Sequence, residues 1–398
     1  MRVLFLATRD WYHPESAGGD EVMWEYARYL SSAGNQVTYV AAGYKGAPKA
    51  EQLDGLEVIR LGRVHTLWLR SFVYYFTRAR GRFDVVVVEG FGGSRIPRLA
   101  PLYIGEPIIT EWHQVYRDLF AAQYPRLMRG PLNLLERATA RTHRNTFVRA
   151  GTDEVKRDFV QQLGFQADRI FVLPVSIRDE WLGNHAFPPS PEPNLLWLGK
   201  VRKYKRPDHV IRAMEAVVKQ FPEARLTIAG RHDDRAYEAR LHDLVGQLHL
   251  QSNVEFRFNI GEEEKQNLLR RTRALVVSSA VEGFGIVVLE GNSCGVPVIA
   301  SSGVPEGAVR AGFNGLRYPF GDINALAAAI CRLLGDDELH RSLSEQSREF
   351  AQRFGWGDIG ARYAAMIETI ASGKAATFRA GLLEHEAPNR VPPGALTR

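Results

Sequence analysis

The sequence predicts an α/β chain of two domains, each built on a parallel sheet. Three observations predict it. Short apolar runs that read as buried strands alternate with segments of helical periodicity in both halves of the chain. A proline-dense stretch, Pro188-Pro189-Ser190-Pro191-Glu192-Pro193, separates the two series, and so much proline fits neither a helix nor a central strand. The 398 residues, 45% of them apolar, suffice for two ordinary cores. The expected division is 1–175, a linker at 176–193, a second domain at 194–355, a helix at 356–371 and a flexible tail at 372–398.

Arg2 to Thr8 is an apolar first strand, followed by a polar loop to Gly18-Gly19. Val22, Tyr26, Tyr29 and Leu30 recur at helical spacing until Gly34, and Gln36 to Ala42 is the second strand. A glycine pair before a helix makes either a tight turn or a close backbone approach to a ligand. Leu56 to Leu61 is the next strand. Leu67 to Arg82 is apolar, aromatic and basic at once, with Trp68, Phe72, Tyr75 and Phe76 interleaved by Arg70, Arg78 and Arg80. It reads as a core-facing helix with a basic outer face, the other reading being a helix in a membrane interface. Asp84 to Glu89 is a buried strand. The Gly90-Phe91-Gly92-Gly93-Ser94-Arg95 after it lacks the third glycine of a dinucleotide loop, which argues against a nicotinamide or flavin role. Pro107 to Trp112 is a strand with His113 at its carboxyl end, where open α/β sheets place ligands. Helical segments broken around Pro125 and Gly130-Pro131 extend to Arg144. Thr146 to Ala150 and Ile170 to Val175 are strands on either side of an Asp153–Leu163 helix.

Asn194 to Leu198 restarts a buried strand, and five cations occupy the seven residues from Lys200 to Arg206. At a strand's carboxyl end they suit a diphosphate clamp; alone they would equally suit a solvated basic loop. A helix through Phe221 and strands at Leu226 to Gly230 and Val254 to Phe258 follow. Asp233-Asp234 reads as a turn rather than a metal site.

The chemistry concentrates at residues 275–301. An apolar strand ends at Val277, a loop runs from Ala280 to Gly285, Ile286 to Ser293 is a short helix stopped by Gly295, and Val296 to Ala300 is a new strand. The helix N-terminus is aimed at the carboxyl edge of the sheet. Its unpaired N–H groups and partial positive charge favour phosphate. Glu282 precedes the helix, and Glu290 lies one turn inside it on the face of Ile286. A carboxylate there can accept two hydrogen bonds from the vicinal diol of a ribose. Gly283 and Gly285 let the backbone approach a bulky ligand. Either glutamate alone fits an acidic cap or a solvated surface residue; together they suit a nucleotide carrying a sugar.

Glu282-Gly283-Phe284-Gly285 through Glu290, then Cys294-Gly295-Val296-Pro297-Val298-Ile299-Ala300, Pro305-Glu306 and Asn314-Gly315-Leu316, closely resembles the signature of retaining glycosyltransferases of family 4. The resemblance covers nearly residues 1–371. It implies the GT-B architecture: two Rossmann-like domains facing each other across a cleft, with helix 356–371 crossing back to the N-terminal domain. It implies that residues 1–175 serve the acceptor and 194–355 bind the nucleotide-sugar. By the same resemblance, His113 and Glu282 act at the donor sugar, Glu290 binds the ribose, and amides around Phe284, Gly285, Ile286 and Val287 hold the diphosphate. Lys200 and Lys205 match two family cations directed at the phosphates, although the first is more often arginine. Gly18-Gly19 resembles the glycine-rich loop near donor and acceptor. Loops near Arg231 and Ile260 commonly seat the base. The family's Pro-Asn-Gly after the last N-terminal strand is replaced by Pro174-Val175-Ser176.

The implied function is retaining, metal-independent transfer of a sugar from a UDP- or GDP-linked donor to a hydroxyl of a glycan, lipid-linked glycan or small-molecule glycoside, with no cofactor. A nucleotide-sugar epimerase relative is one alternative, against which the Glu-Gly-Phe-Gly loop argues. An inactive basic binding protein on the same fold is another.

Composition sets the remaining bounds. No apolar run is long enough to span a membrane, and the start is too short for a signal peptide, so a cytoplasmic chain is expected. Cys294 and Cys331 alone support neither a disulfide framework nor a cysteine metal site. The net charge is +6, with arginine dense from Arg60 to Arg82 and from Arg126 to Arg149. A basic surface admits peripheral contact with anionic membrane or phosphorylated substrates, and a solvated surface needing no partner fits as well. No nucleic-acid partner is expected.

Overall fold

The computed structural model describes residues 1–91, 99–183, 190 and 192–373. Packing divides the chain into two units. Met1–His113, Leu135–Pro174 and the described residues from Trp356 onward make the first; Gln114–Leu134 and Val175–Gly355 make the second. Residues 114–134, expected with the N-terminal domain, thus group with the second unit.

The first unit carries an eight-stranded sheet in the order β3-β4-β2-β1-β5-β6-β7-β8. Its strands are β1 (Arg2–Leu6), β2 (Gln36–Ala41), β3 (Ala50–Leu53), β4 (Leu56–Arg60), β5 (Val85–Glu89), β6 (Ile108–Glu111), β7 (Phe147–Ala150) and β8 (Ile170–Val172). Val85 to Val88 are wholly buried, as helices on both faces of a parallel sheet demand. Only β3 runs antiparallel, against β4. Its sequence, Ala-Glu-Gln-Leu, is polar and half exposed, so no apolar run announced this edge strand.

The second unit holds a six-stranded parallel sheet in the order β11-β10-β9-β12-β13-β14. Its strands are β9 (Asn194–Lys200), β10 (Arg225–Arg231), β11 (Val254–Phe258), β12 (Ala274–Val277), β13 (Val298–Ser301) and β14 (Gly315–Tyr318). Trp197, Met214, Ile228, Val276, Ile299 and Leu326 belong to one core between the sheet and its helices. In each unit the first strand is flanked by a later one, at β1/β5 and β9/β12. Strand order reverses there and opens a crevice at the carboxyl ends, the usual ligand position of open α/β sheets.

Helix Gly18–Ser32 packs on the C-terminal helix Trp356–Ala371. Tyr26 and Tyr363 stack at 3.8 Å, and a side chain at Gly360 would overlap the Tyr29 ring.

Several local expectations change. Helix Arg126–His143 runs through Pro131 without the expected break. The proline stands in the second turn, where its missing N–H costs a single early bond. Helix Leu67–Tyr74 continues as a π-turn over Tyr75–Ala79, and Asp153–Asp158 continues likewise over Phe159–Leu163. The first part of the expected linker is packed structure: Asp179–Leu182 is a helical turn with Trp181 buried, and Ile177 bridges to Gly355. Burial of apolar Ile177 and Trp181 outweighs a linker's freedom there. Residues 92–95 of the glycine-rich loop, 184–189 and 191 of the linker, and the tail from 374 lie outside the described residues.

The two arginine-dense stretches are only partly surface. Arg60 is buried and paired with Asp10 at 2.6 Å and with Glu51. Arg149 is buried and paired with Glu111 at 2.6 Å, donates to Leu173 O at 2.8 Å, and lies over the Tyr26 ring. Their partners come from distant segments, which a local count of charge does not register.

Candidate active site

Eight of the expected site residues lie in the second unit, at the end of β9 and in the turn, loop and helix that follow β9 and β12 at the point of strand reversal. Lys200 ends β9 in register with Arg231 of β10. The chain then turns through Lys203–Lys205 into helix Pro207–Gln220. The loop after β12 is bound to that turn: Ala280 N donates to Tyr204 O at 2.7 Å, and Ser278 Oγ donates to Lys205 O and Arg206 O, each at 2.8 Å. The small polar pair Ser278-Ser279 thus fastens two loops that are far apart in sequence.

This fastening brings Lys205 to Glu282. Lys205 Nζ donates to Glu282 Oε1 at 2.8 Å, and Ser279 Oγ donates to the same oxygen at 2.7 Å. Glu282 N donates to Gly303 O at 2.9 Å, fixing the backbone as well. Burial alone would lower the Lys205 pKa, but the negative charge of Glu282 holds it above the ordinary lysine value. The ammonium is therefore charged throughout the neutral range.

Immediately beyond, Gly285 caps helix Ile286–Ser293 with φ of +94°, a left-handed conformation that glycine adopts without steric cost. Gly285 O accepts from Val288 N at 2.9 Å, so the first turn closes just past the loop. The opening N–H groups of a helix have no carbonyl inside it, which leaves those of Ile286 and Val287 available to an anion. The Phe284 ring is buried against Phe354, with centroids 5.4 Å apart, so this residue can offer only its backbone.

Glu290 is buried one turn into the helix, and Lys265 Nζ donates to its Oε1 at 2.6 Å. Lys265 also pairs with Glu262 at 3.1 Å and lies 4.9 Å over the Trp181 ring. Although burial opposes it, the charges of Glu290 and Glu262 raise the Lys265 pKa.

The other expected residues stand in the first unit. Gly18 and Gly19 open helix Gly18–Ser32, where Asp20 accepts from Ala17 N at 2.8 Å. His113 follows β6 and lies over Gly19: a Cβ added to Gly19 would come within 2.8 Å of His113 Nε2. That nitrogen is buried with no hydrogen-bond partner among the described residues. Burial first, then the charge of Arg149, lowers the His113 pKa, so its imidazole is neutral at neutral pH.

Sequence reasoning missed Lys265, Ser278 and Ser279. Lys265 ends the run Glu262-Glu263-Glu264-Lys265, and its partner Glu290 lies 25 residues further along the chain. The structure also explains Asn314, which is buried: its Nδ2 donates to Oδ1 of buried Asn292 on the site helix at 2.7 Å, and its Oδ1 accepts from Arg310 N at 2.7 Å. Asp234 caps helix Arg235–Gln247 through Tyr237 N at 2.9 Å, and Asp233 pairs with Arg202 at 2.7 Å. Both aspartates thus have partners within the fold.

Two sequence families match consecutive parts of the chain: Glycosyltransferase Family 4 over residues 17–181 and Glycosyl transferases group 1 over residues 183–350. A D-inositol 3-phosphate glycosyltransferase of Thermobispora bispora is 33% identical over 177 residues, 43% of this chain and 41% of that protein, so the match spans about two fifths of the relative's length. Among solved structures, a sucrose-phosphate synthase from Thermosynechococcus elongatus superposes with a TM-score of 0.77 at 19% identity, covering 94% of this chain and 100% of that one. Anabaena HepE, solved with UDP and glucose, superposes with a TM-score of 0.75 at 16% identity, covering 93% and 100%. With both halves matched in order and both sheets of the expected kind, the chain belongs to the family 4 glycosyltransferases (glycosyl transferases group 1), with the GT-B fold.

Proposed function

We propose that the chain is a retaining, metal-independent glycosyltransferase that moves a hexosyl group from a UDP- or GDP-linked donor to a hydroxyl. The acceptor is a glycan, a lipid-linked glycan or a small-molecule glycoside, met in the cytoplasm with peripheral contact to anionic membrane. One observation carries the reading: the Lys205–Glu282 pair, 2.8 Å long, stands directly before the glycine-capped N-terminus of helix Ile286–Ser293.

As the glycosidic bond breaks, negative charge builds on the departing diphosphate. The Lys205 ammonium, Lys200 and the amides of Ile286 and Val287 oppose that charge in a fixed arrangement, so little reorganisation accompanies the reaction. Glu282, held by Lys205 and Ser279, orients the donor hydroxyls and supports the positive charge growing on the sugar. Glu290 takes the ribose diol through the oxygen capacity left beside Lys265. Neutral His113 offers a hydrogen bond to the sugar without adding a cation next to an electron-poor carbon.

Titration of Glu282→Ala with UDP and GDP, alongside transfer assays, tests this reading. UDP is the first choice because HepE, of the same fold, was solved with it. The variant is expected to keep nucleotide binding, seen as a raised Tm, and to lose transfer. A wild-type chain that responds to neither nucleotide would refute the assignment.

A further inference from the structure

Helix Leu67–Tyr74 and its π-turn continuation meet the body of the first unit along a single row. Leu67, Ser71, Tyr75 and Ala79, spaced four apart, are buried. The adjacent rows carry Trp68, Phe72 and Phe76, then Leu69 and Val73, with 46%, 41%, 42%, 51% and 50% of their surfaces exposed. The helix faces the core along that row, as expected, and its outer face is apolar as well as basic. A folded surface seldom leaves so large a contiguous apolar stripe without a contact to make.

Part of the stripe is braced by neighbouring rings. Phe72 and Phe76 pack at 4.8 Å, and Tyr103 meets the edge of Phe72 at 4.9 Å. Tyr75 anchors the helix from below, its hydroxyl donating to Glu106 at 2.5 Å and accepting from Gly105 N at 3.0 Å. Arg63, Arg70, Arg78, Arg80 and Arg82 are exposed around it, and no Asp or Glu occurs between Glu57 and Asp84. Arg80 lies 5.6 Å over the Phe76 ring, so cation and apolar stripe share one surface.

We propose that this face lies on an anionic phospholipid bilayer. The aromatic and aliphatic rows enter the boundary between headgroups and acyl chains, while the arginine stems reach back to lipid phosphates. This rests on the peripheral contact proposed above and assigns it a surface. No helix among the described residues is long and apolar enough to cross a membrane. The stripe runs along the flank of its helix, which suits contact in the plane of the bilayer. The stretch itself carries charge of one sign beside its apolar stripe, which matches a uniformly negative plane, while Glu106 is engaged by Tyr75 and Gly81.

Co-sedimentation of the full chain with vesicles tests this, using phosphatidylcholine alone or mixed with phosphatidylglycerol. Wild type is expected to bind the mixed vesicles, bind phosphatidylcholine weakly, and release as salt is raised. Trp68→Ser/Leu69→Ser and Arg78→Glu/Arg80→Glu should each lower binding by about tenfold or more, with circular dichroism melting and the UDP response unchanged. Indifference of wild type to phosphatidylglycerol, or variants that bind like wild type, would overturn the proposal. So would self-association that Trp68→Ser/Leu69→Ser abolishes in a chain vesicles do not capture, since the occupant would then be a second copy. Vesicle binding by a chain deaf to nucleotides would sink the transfer reading alone.

Discussion

Lys205 and Glu282, 77 residues apart in sequence, meet at 2.8 Å because two loops from neighbouring strands β9 and β12 are pinned together by Ser278. Each partner keeps only part of its side chain exposed, 18% for Lys205 and 11% for Glu282. The pair is thus dry enough for its loss to be felt both in folding and at the site.

Lys205→Met should lower kcat/KM about a hundredfold through lost stabilisation of the departing diphosphate. It should also cost about 1–3 kcal/mol of stability, because Glu282 then keeps a buried charge with Ser279 as its remaining side-chain partner. Lys205→Met/Glu282→Gln should be more stable than Lys205→Met alone, which urea unfolding of both variants would reveal. The Lys205 pKa is raised on folding, so the stability that this lysine's charge contributes is complete at neutral pH and declines only as pH rises above 10.5.

Lys265 touches the proposed ribose carboxylate rather than the reacting atoms. Lys265→Met should raise the donor KM about tenfold and leave kcat within about twofold, the mark of lost uniform binding. Steady-state kinetics separates the two constants. An equal fall in kcat would mean that Lys265 positions the sugar instead.

Gly19→Ala should cost both folding and function. Alanine suits a helix better than glycine by about 0.5–1 kcal/mol, but overpacking against a buried ring costs about 1–3 kcal/mol, so Tm should fall. The new methyl would come within 2.8 Å of His113 Nε2 and push the ring aside. Transfer should then fall about tenfold or more, since small displacements of positioned groups are costly to rate. Calorimetry and transfer assays on one preparation check both halves.

Acid should weaken the second unit through His209. Burial, then the charge of Arg206, lowers its pKa from 6.5 to about 4, and its Nδ1 is buried with no hydrogen-bond partner among the described residues. The unfolded chain takes up the proton first as pH falls. Stability is therefore full above 6.5 and declines as pH falls towards 4. His209→Phe should flatten that slope in urea unfolding at a series of pH values. His340, its pKa also lowered chiefly by burial, contributes in the same direction and stays in the variant.

Strands with apolar runs, such as Val85–Glu89 and Ala274–Val277, and helices with a strong apolar period were legible in the chain because their burial is written locally. So was the glycine-capped helix opening at Ile286, since residue types two to eight apart define it. Polar edge strand β3 left no such trace, nor did the π-turns, whose extra residue per turn answers to tertiary packing.

By itself, then, the sequence determined the βα alternation and the glycine-capped helix opening at Ile286 with its two glutamates. Both follow from short-range periodicity and spacing. Only the tertiary structure decided that Lys205 holds Glu282, that Lys265 holds Glu290, that Gly19 lies under His113, and that Arg149 is interior while Trp68 and Phe72 face outward. Those facts depend on which distant segment supplies the partner, and Coulomb attraction and burial act on distance in space, which the order of residues along a chain does not contain.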